Sequence, residues 1–255
     1  MNTLRPSPDE DRAAGRPPRI EILRAAAWAP TVAAELIARL AARPSLRICL
    51  PTGETPSPVY AALAAAEARG AVSFAGSTIV MLDEWVGLPP GDPARCDVRL
   101  RSELLDRLRV PPSLFAAIDV DGPDPDEAAT RHDAAAVGLD LAVLGLGTNG
   151  HVGFNEPGSS PDDATRLVRL AVSTREAATA RYGASRMPTA GITVGLARLL
   201  AAGEAWLLVT GERKAAMLRR ALEEPEGPDC PASYLRRHPR LTVFADDGAA
   251  SLLPK

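Results

Sequence analysis

The chain alternates short apolar runs with longer segments in which apolar residues recur at helical spacing. Short apolar runs bounded by turn residues are typical of strands buried inside a sheet. The runs that we interpret as strands are residues 46–50, 78–82, 117–120, 139–146, 205–210 and 241–245. The segments of helical period that lie between most of them are residues 58–69, 99–108, 125–137, 189–201 and 212–223. This alternation predicts an α/β fold, a single domain with a mainly parallel sheet flanked by helices, doubly wound and Rossmann-like.

The N-terminal part of the chain divides into two segments of different character. Residues 19–23 alternate charged and apolar side chains as an edge strand does, and a segment with Leu36, Ile37 and Leu40 on one helical face follows. Residues 1–18 are rich in Pro, Asp and Arg and lack the apolar centre of a signal peptide. We therefore expect a disordered leader over residues 1–18 and an α/β domain over residues 19–255.

Composition and charge narrow the class of protein. Hydrophobic residues make up 46% of the chain and charged residues 24%, which fits a folded globular protein and not a membrane protein. The 29 Lys and Arg against 32 Asp and Glu give a net charge of -3, without the basic excess that nucleic-acid binding requires. The three cysteines, Cys49, Cys96 and Cys230, form no CxxC pair and are odd in number. The cysteines therefore predict a reducing, cytoplasmic setting. The composition and charge predict neither a membrane nor nucleic acid as a partner.

Ligands of doubly wound folds bind where loops leave the carboxyl ends of the strands. The first such loop reads Leu-Pro-Thr-Gly-Glu-Thr-Pro over residues 50–56. Its backbone N–H groups and the start of the next helix can bind an anion, and the hydroxyls of Thr52 and Thr55 add donors. An ordinary turn between a strand and a helix has the same composition, so both interpretations stay open.

Two adjacent carboxylates follow the second apolar run. Asp83 and Glu84 come directly after residues 78–82, and their side chains diverge if the chain is extended there. One of them can point into a dry cleft, where a raised pKa suits a group that moves protons. The alternative is that Asp83 is a helix N-cap without chemistry.

The densest cluster of polar and glycine residues spans residues 144–160. Several glycines surround His151, and Glu156 follows five residues later, which predicts a tight loop that directs an imidazole and a carboxylate to one point. The spacing lacks the GxGxxG pattern of a dinucleotide site, which argues against NAD. His132 lies in a polar helical segment and His238 in a loop, so we expect both at the surface.

Three segments, PTGETP, MLDEWVGL and GLGTNGHVGFNEPGSS, resemble the glucosamine-6-phosphate deaminase family in order and spacing. That family shares its fold with the 6-phosphogluconolactonases, and the resemblance covers roughly residues 20–247. The Phe-Asn-Glu-Pro that follows His151 is similar to the deaminases rather than to the lactonases. The resemblance implies conversion of glucosamine 6-phosphate and water into fructose 6-phosphate and ammonia, through ring opening and an aldose-ketose isomerisation. It implies no metal or organic cofactor, a small sugar phosphate as partner, and leaves a monomer or a homo-oligomer open.

The same resemblance assigns catalytic roles. Asp83 is expected to be the base that moves a proton between C2 and C1 of the sugar. His151 is expected to assist ring opening, and Glu156 to orient and tune that histidine. Asn149 occupies a position where many members of the family carry an aspartate.

The phosphate site that the resemblance implies combines the first loop with two cations. Its expected members are Thr52, Gly53, Glu54, Thr55, Arg181 and Lys214. Glu54 stands where many members have a second glycine. Its carboxylate repels the phosphate if it points inward, and has little effect if it points outward.

Two further functions stay open at this point. Hydrolysis of 6-phosphogluconolactone on the same fold would use His151 without needing Asp83 as a carbon base. A non-catalytic sugar-phosphate sensor would keep the fold and lose turnover, and Glu54 is the residue that suggests it.

Overall fold

The computed structural model describes residues 17–108, 110–182 and 188–254, excluding the side chains of Arg181 and Tyr182. Most of the expected leader, residues 1–18, lies outside the described residues. The strands within the described ranges are β1 (Arg19–Leu23), β2 (Arg47–Leu50), β3 (Thr78–Met81), β4 (Asp83–Val86), β5 (Phe115–Ala116), β6 (Leu141–Gly145), β7 (Arg166–Arg169), β8 (Ala190–Thr193), β9 (Glu204–Val209) and β10 (Leu241–Asp246).

Helices separate most of these strands. The α-helices in the described ranges are α1 (Ala25–Ala42), α2 (Ser57–Ala68), α3 (Cys96–Leu100), α4 (Pro125–Ala135), α5 (Val172–Tyr182), α6 (Leu196–Leu200) and α7 (Ala215–Glu223). Helix α4 shows a local signal for its start, because Asp124 accepts hydrogen bonds from the N–H groups of Asp126 and Glu127 while Pro125 takes the first helical position. The helix expected over residues 99–108 begins earlier, as α3, and continues as a π-helical turn over Arg101–Leu105.

The large sheet has the order β1-β10-β9-β6-β2-β3-β5, and all its neighbouring strands are parallel. A separate hydrophobic core covers each face of this sheet. Successive residues of β9, such as Trp206 and Leu207, point to opposite faces and belong to different cores. Helix α1 packs on the Trp206 face and helix α7 on the other. The predicted doubly wound α/β class is therefore confirmed, and so is the position of β1 at the edge.

A small antiparallel sheet, with the order β4-β8-β7, lies beyond the end of β3. The sequence interpretation missed it, and the predicted helix over residues 189–201 is wrong in its first half. That half is strand β8, paired on both sides, and only Leu196–Leu200 are helical. A Cβ at Gly191 would lie 2.6 Å from the ring of Phe154, so this strand packs its backbone directly against that ring. This tertiary contact, which local periodicity does not reveal, accounts for the error.

Three smaller predictions also fail. The strand expected over residues 117–120 is instead the short edge strand Phe115–Ala116. His132 and His238 are buried, with 3% and 1% of their surfaces exposed. The Nε2 atoms of these rings lie 2.8 Å from the carbonyl oxygens of Met81 and Ala202 respectively, so each ring partners a buried backbone group.

Candidate active site

A cavity of about 610 Å³ opens at the carboxyl edge of the large sheet. Loops that follow β2, β3, β6 and β9 line it, in agreement with the general rule for doubly wound folds. The predicted residues that line the cavity are Thr52, Gly53, Glu54, Thr55, Asp83, His151 and Lys214. Among the described residues, no group of three His, Cys, Asp or Glu side chains is placed to hold a metal ion.

Asp83 is the first residue of β4 and only 8% of its surface is exposed. Burial raises the pKa of Asp83 to about 7, against a hydrogen bond from the Cys96 thiol and the charge of Arg99, which lower it. A carboxyl with this pKa is partly protonated and partly ionised at neutral pH. It can therefore both accept and donate a proton.

Glu84 points away from the cavity and anchors helix α3. Its Oε1 accepts a hydrogen bond from the N–H of Cys96 at 2.9 Å, and its Oε2 accepts one from the N–H of Asp97 at 2.8 Å. Burial raises the pKa of Glu84 to about 7, and these backbone donors oppose the shift. The interpretation of Asp83 as a helix cap is wrong, because its neighbour Glu84 binds the free N–H groups at the start of the helix.

His151 is held by a loop that requires glycine. A Cβ at Gly147 would lie 2.4 Å from three atoms of the imidazole, so the ring rests directly on the backbone of that residue. The N–H of Gly147 donates to the carbonyl of His151 at 2.9 Å, and Gly150 adopts a φ of 87° to close the turn. The dense glycine pattern thus presents the imidazole to the cavity.

Glu156 and Asn149 stand behind His151. The Nδ1 of His151 lies 3.4 Å from Oε2 of Glu156, and the Nδ2 of Asn149 donates to the same oxygen at 2.9 Å. The Oδ1 of Asn149 in turn accepts the N–H of His151 at 3.2 Å. Burial disfavours the ionised Glu156, but hydrogen bonds from His151, Thr174 and Asn149 outweigh it and lower its pKa to about 2. Glu156 is therefore ionised throughout the physiological range and fixes the orientation of the imidazole.

The loop after β2 and the turn before α7 form a further part of the cavity wall. Gly53 has a φ of 138°, and the Oγ of Ser57 donates to its carbonyl at 2.6 Å. Lys214 stands at the end of the turn after Gly211, whose N–H donates to both carboxylate oxygens of Asp246 at 3.0 Å. This bond ties the lysine-bearing loop to the end of β10.

Glu54 and Lys214 both line the cavity, and Glu54 is exposed to solvent. Burial and the charge of Arg213 lower the pKa of Lys214, while the charge of Glu54 opposes that shift. Arg181 lies on α5, but its side chain is outside the described part of the chain.

Several cavity residues escaped the sequence interpretation. Cys96 and Arg99 line the cavity from α3, and Thr174 lines it from α5 with its Oγ1 3.4 Å from Nδ1 of His151. Arg99 also pairs with Glu103 at 2.8 Å. The resemblance to the family also continues through residues 173–175, which include Thr174, and this was the available signal. Cys96 and Arg99 carry no motif, and only the position of α3 brings them to the cavity.

Comparison with known proteins assigns this fold and cavity to a class of sugar-phosphate enzymes. The chain belongs to the family described as glucosamine-6-phosphate isomerases/6-phosphogluconolactonase, whose sequence model matches residues 22–243. The family resemblance seen in the sequence is therefore confirmed.

Relatives within the family include proteins named glucosamine-6-phosphate deaminase. One from Streptomyces avermitilis is 41% identical over 227 residues, which cover 86% of this chain and 87% of that protein. One from Rhodopirellula baltica is 37% identical over 236 residues, covering 88% and 91% of the two chains.

Solved structures show the same relationship. A monomeric glucosamine-6-phosphate deaminase superposes with a TM-score of 0.87 at 30% identity, over 92% of this chain and 99% of that one. A 6-phosphogluconolactonase from Thermotoga maritima superposes with a TM-score of 0.72 at 20% identity, over 89% and 99%, which shows a shared fold alone. Within the described residues, no helix has both the length and the apolar composition needed to cross a membrane.

Proposed function

We propose that this protein converts glucosamine 6-phosphate and water into fructose 6-phosphate and ammonia. The observation that carries the proposal is a buried carboxyl, Asp83, whose pKa is raised to about 7, in the same cavity as His151. Isomerisation of a sugar needs a base that first removes and then returns a proton, whereas hydrolysis of a lactone does not. The deaminase relatives at 41% and 37% identity support the same substrate class.

Ring opening is the first step and falls to His151. Its Nδ1 faces Glu156, so Nε2 is the ring nitrogen left to serve the substrate. The imidazole removes the proton of the C1 hydroxyl as the bond between C1 and the ring oxygen breaks, and the ring oxygen gains a proton. Glu156, held ionised, keeps the imidazole oriented, and Asn149 forms hydrogen bonds with both Glu156 and the backbone of His151.

Isomerisation follows on the open-chain sugar. Asp83 takes the proton from C2, the electron pair forms a double bond between C1 and C2, and the C1 oxygen gains a proton from solvent, which gives an enolamine. The same proton equivalent is returned at C1, which leaves an iminium group at C2. Water then adds to C2 and ammonia leaves, so that the carbonyl of fructose 6-phosphate forms.

The phosphate is expected at the part of the cavity wall that the loop after β2 and the turn before α7 form. Lys214 supplies a cation there, the loop of Thr52, Gly53, Glu54 and Thr55 supplies backbone and hydroxyl donors, and Arg181 of α5 is a further proposed cation. Free cysteines at all three positions fit the proposed cytoplasmic location.

A coupled ammonia assay over a panel of sugars tests the proposal. The panel contains glucosamine 6-phosphate, galactosamine 6-phosphate, unphosphorylated glucosamine and 6-phosphogluconolactone. We expect ammonia from an amino-sugar 6-phosphate and much less from unphosphorylated glucosamine. Acid release from the lactone without any ammonia would assign the protein to the lactonases instead, and binding of sugar phosphates without turnover would make it a sensor.

A further inference from the structure

A hydrogen bond connects the loop after β2 with Cys96, which lines the same cavity as the carboxyl that we propose as the base. The Oγ1 of Thr52 donates to the sulfur of Cys96 at 3.2 Å, and Thr52, Cys96 and Asp83 all line the same cavity. Cys96 is only 3% exposed, so its thiol is shielded from water and takes its partners from the protein.

The direction of these bonds follows from the chemistry of the groups. A hydroxyl has one proton, and the Thr52 proton is directed at the sulfur, so the sulfur acts as the acceptor there. The thiol keeps its own proton, since burial raises the pKa of Cys96 well above its usual range. The thiol proton is therefore available to a neighbouring acceptor, and the influence of Cys96 on the pKa of Asp83 indicates that this acceptor is the Asp83 carboxyl.

The backbone of Cys96 is fixed relative to Asp83. Its N–H donates to Oε1 of Glu84 at 2.9 Å, and Glu84 is the residue next to Asp83 in β4. The start of α3 is thereby tied to the strand that carries the proposed base. The backbone of Cys96 is accordingly held near Asp83, and the Thr52 hydroxyl is the group that contacts its sulfur.

We propose that Thr52 and Cys96 are positioning residues for Asp83. The Thr52 hydroxyl donates a hydrogen bond to the Cys96 sulfur, and the Cys96 thiol donates one to the Asp83 carboxylate. The proposal rests on the proposed function for its catalytic meaning. The bond favours the ionised carboxylate, which is the form that accepts the C2 proton. The proposal also assigns the Thr52 hydroxyl proton to the Cys96 sulfur, which leaves the backbone N–H of Thr52, and not its hydroxyl, as the donor proposed for the phosphate.

Other groups around Asp83 also influence its ionisation. The titratable and charged side chains that interact with Asp83 are Cys49 of β2, Tyr60 of α2, and Cys96 and Arg99 of α3. Those that share its cavity wall are His151, Glu54, Arg213 and Lys214. Glu84 is adjacent to Asp83 in sequence. Cys49 provides a matched control, because it is a second buried thiol close to Asp83 that lies in the sheet core.

The experiment measures the protonation of Asp83 directly, in the full-length protein without substrate. Aspartate labelled with carbon-13 at the carboxyl is incorporated, and the signal of Asp83 is assigned by its loss in Asp83→Asn. The carboxyl is then titrated in wild type, Cys96→Ala, Cys96→Ser, Thr52→Val and Cys49→Ala. Rates of ammonia release over the same pH range supply the catalytic readout.

We expect Cys96→Ala to raise the titration midpoint of Asp83 by about 0.5 to 1 pH unit, because a donor to the charged form is lost. Cys96→Ser restores a donor and should return the midpoint close to wild type. Thr52→Val should raise the titration midpoint of Asp83 by less than Cys96→Ala does. Competition between inorganic phosphate and the sugar phosphate should be unchanged in this variant. The acid limb of kcat should move to higher pH by the same amounts.

Other results would overturn the proposal. An unchanged midpoint in Cys96→Ala, or an equal rise in Cys96→Ser or in Cys49→Ala, would show that the thiol donor is not the cause. A Thr52→Val protein with an unchanged midpoint and weaker phosphate competition would make Thr52 a phosphate ligand. Because the titration needs no turnover, a wild type that releases no ammonia would refute the proposed function while the positioning of Asp83 is still decided.

Discussion

Asp83 and Glu156 are two carboxylates with little exposed surface and opposite pKa shifts. Their exposed fractions are 8% and 7%, yet the pKa of Asp83 rises to about 7 and that of Glu156 falls to about 2. Burial disfavours the charge of both, and Asp83 lies deeper in the protein than Glu156. Their partners differ as well: hydrogen bonds from His151, Thr174 and Asn149 lower the pKa of Glu156, whereas a weakly donating thiol and the charge of Arg99 only partly offset the burial of Asp83.

This contrast separates their chemical roles. A carboxylate that stays ionised at every physiological pH cannot exchange protons usefully, but it can fix and stabilise an adjacent imidazole. A carboxyl that titrates near neutrality can accept a proton and return it. The depth of burial and the donors that the fold supplies together support the roles proposed for Asp83 in carbon chemistry and for Glu156 beside His151.

The largest expected effect is on turnover in Asp83→Asn. The amide keeps the shape of the side chain but cannot accept a proton, so kcat for ammonia release should fall by a factor of about 100 to 10,000. Binding of the sugar phosphate, measured by calorimetry, should be largely retained. Asp106→Asn, at an exposed turn, is the control with the same loss of charge. Turnover of Asp83→Asn within threefold of wild type would remove Asp83 from the mechanism.

Loss of the cation at the phosphate end should act on substrate binding. Lys214→Ala is expected to raise KM about tenfold or more, because hydrogen bonds to charged groups contribute about 1.5–3 kcal/mol. Arg219→Ala, at an exposed position of α7 that does not line the cavity, should leave KM unchanged. A KM for Lys214→Ala equal to that of wild type, with inorganic phosphate failing to compete, would exclude a phosphate at this end of the cavity.

The opposite pKa shifts predict opposite pH dependence of stability. Glu156, with a lowered pKa, contributes stability that is fully present above its ordinary pKa of 4.5 and is lost as the pH falls from there towards 2. Asp83, with a raised pKa, makes the folded protein less stable as the pH rises from 3.8 to about 7. Relative to wild type, Glu156→Gln should therefore show a deficit that is constant between about pH 5 and 8, while Asp83→Asn should gain stability over that range.

Chemical denaturation at several pH values in this range measures both differences. The deficit of Glu156→Gln should be of the order of 1–3 kcal/mol, the usual effect of disrupting a buried hydrogen-bonded charge. Parallel pH profiles for the two variants would mean that the two carboxyls do not differ in the way described.

The smallest expected effect concerns Glu54. Its carboxylate lines the cavity near Lys214, so removing the charge should lower KM about two- to fivefold, as exposed charges interact by about 0.2–1 kcal/mol. Glu54→Gln removes the charge and keeps the size, whereas Glu54→Gly also frees the backbone next to Gly53. A lower KM only in the glycine variant would attribute the effect to the loop and not to the charge.

Much of the sheet was predictable because its strands are buried on both faces and read as apolar runs. Strands β2, β3, β6, β9 and β10 fall within the predicted runs or within one residue of them. The segments that contain Asp83 and His151 were predictable as candidate sites because both follow buried strands of the large sheet, and the structure brings the two residues to one cavity.

The parts that escaped prediction depend on contacts distant in sequence. Strand β8 reads as part of a helix until Phe154 and the strands on either side are in place. His132 is polar in a polar helix, and only its bond to the carbonyl of Met81 explains its burial. Cys96 and Arg99 carry no recognisable pattern, and they reach the cavity because Glu84 anchors the start of α3.

Transfer of the C2 hydrogen tests the central claim most directly. Glucosamine 6-phosphate deuterated at C2 is incubated with wild type and with Asp83→Asn, and the position of the label and the release of ammonia are followed by NMR and by the coupled assay. We predict that wild type removes deuterium from C2 in step with ammonia release and more slowly than it removes hydrogen, and that Asp83→Asn leaves the label at C2. Ammonia release by wild type with deuterium retained at C2, or removal of the label by Asp83→Asn at the wild-type rate, would contradict the assignment of Asp83 as the carbon base.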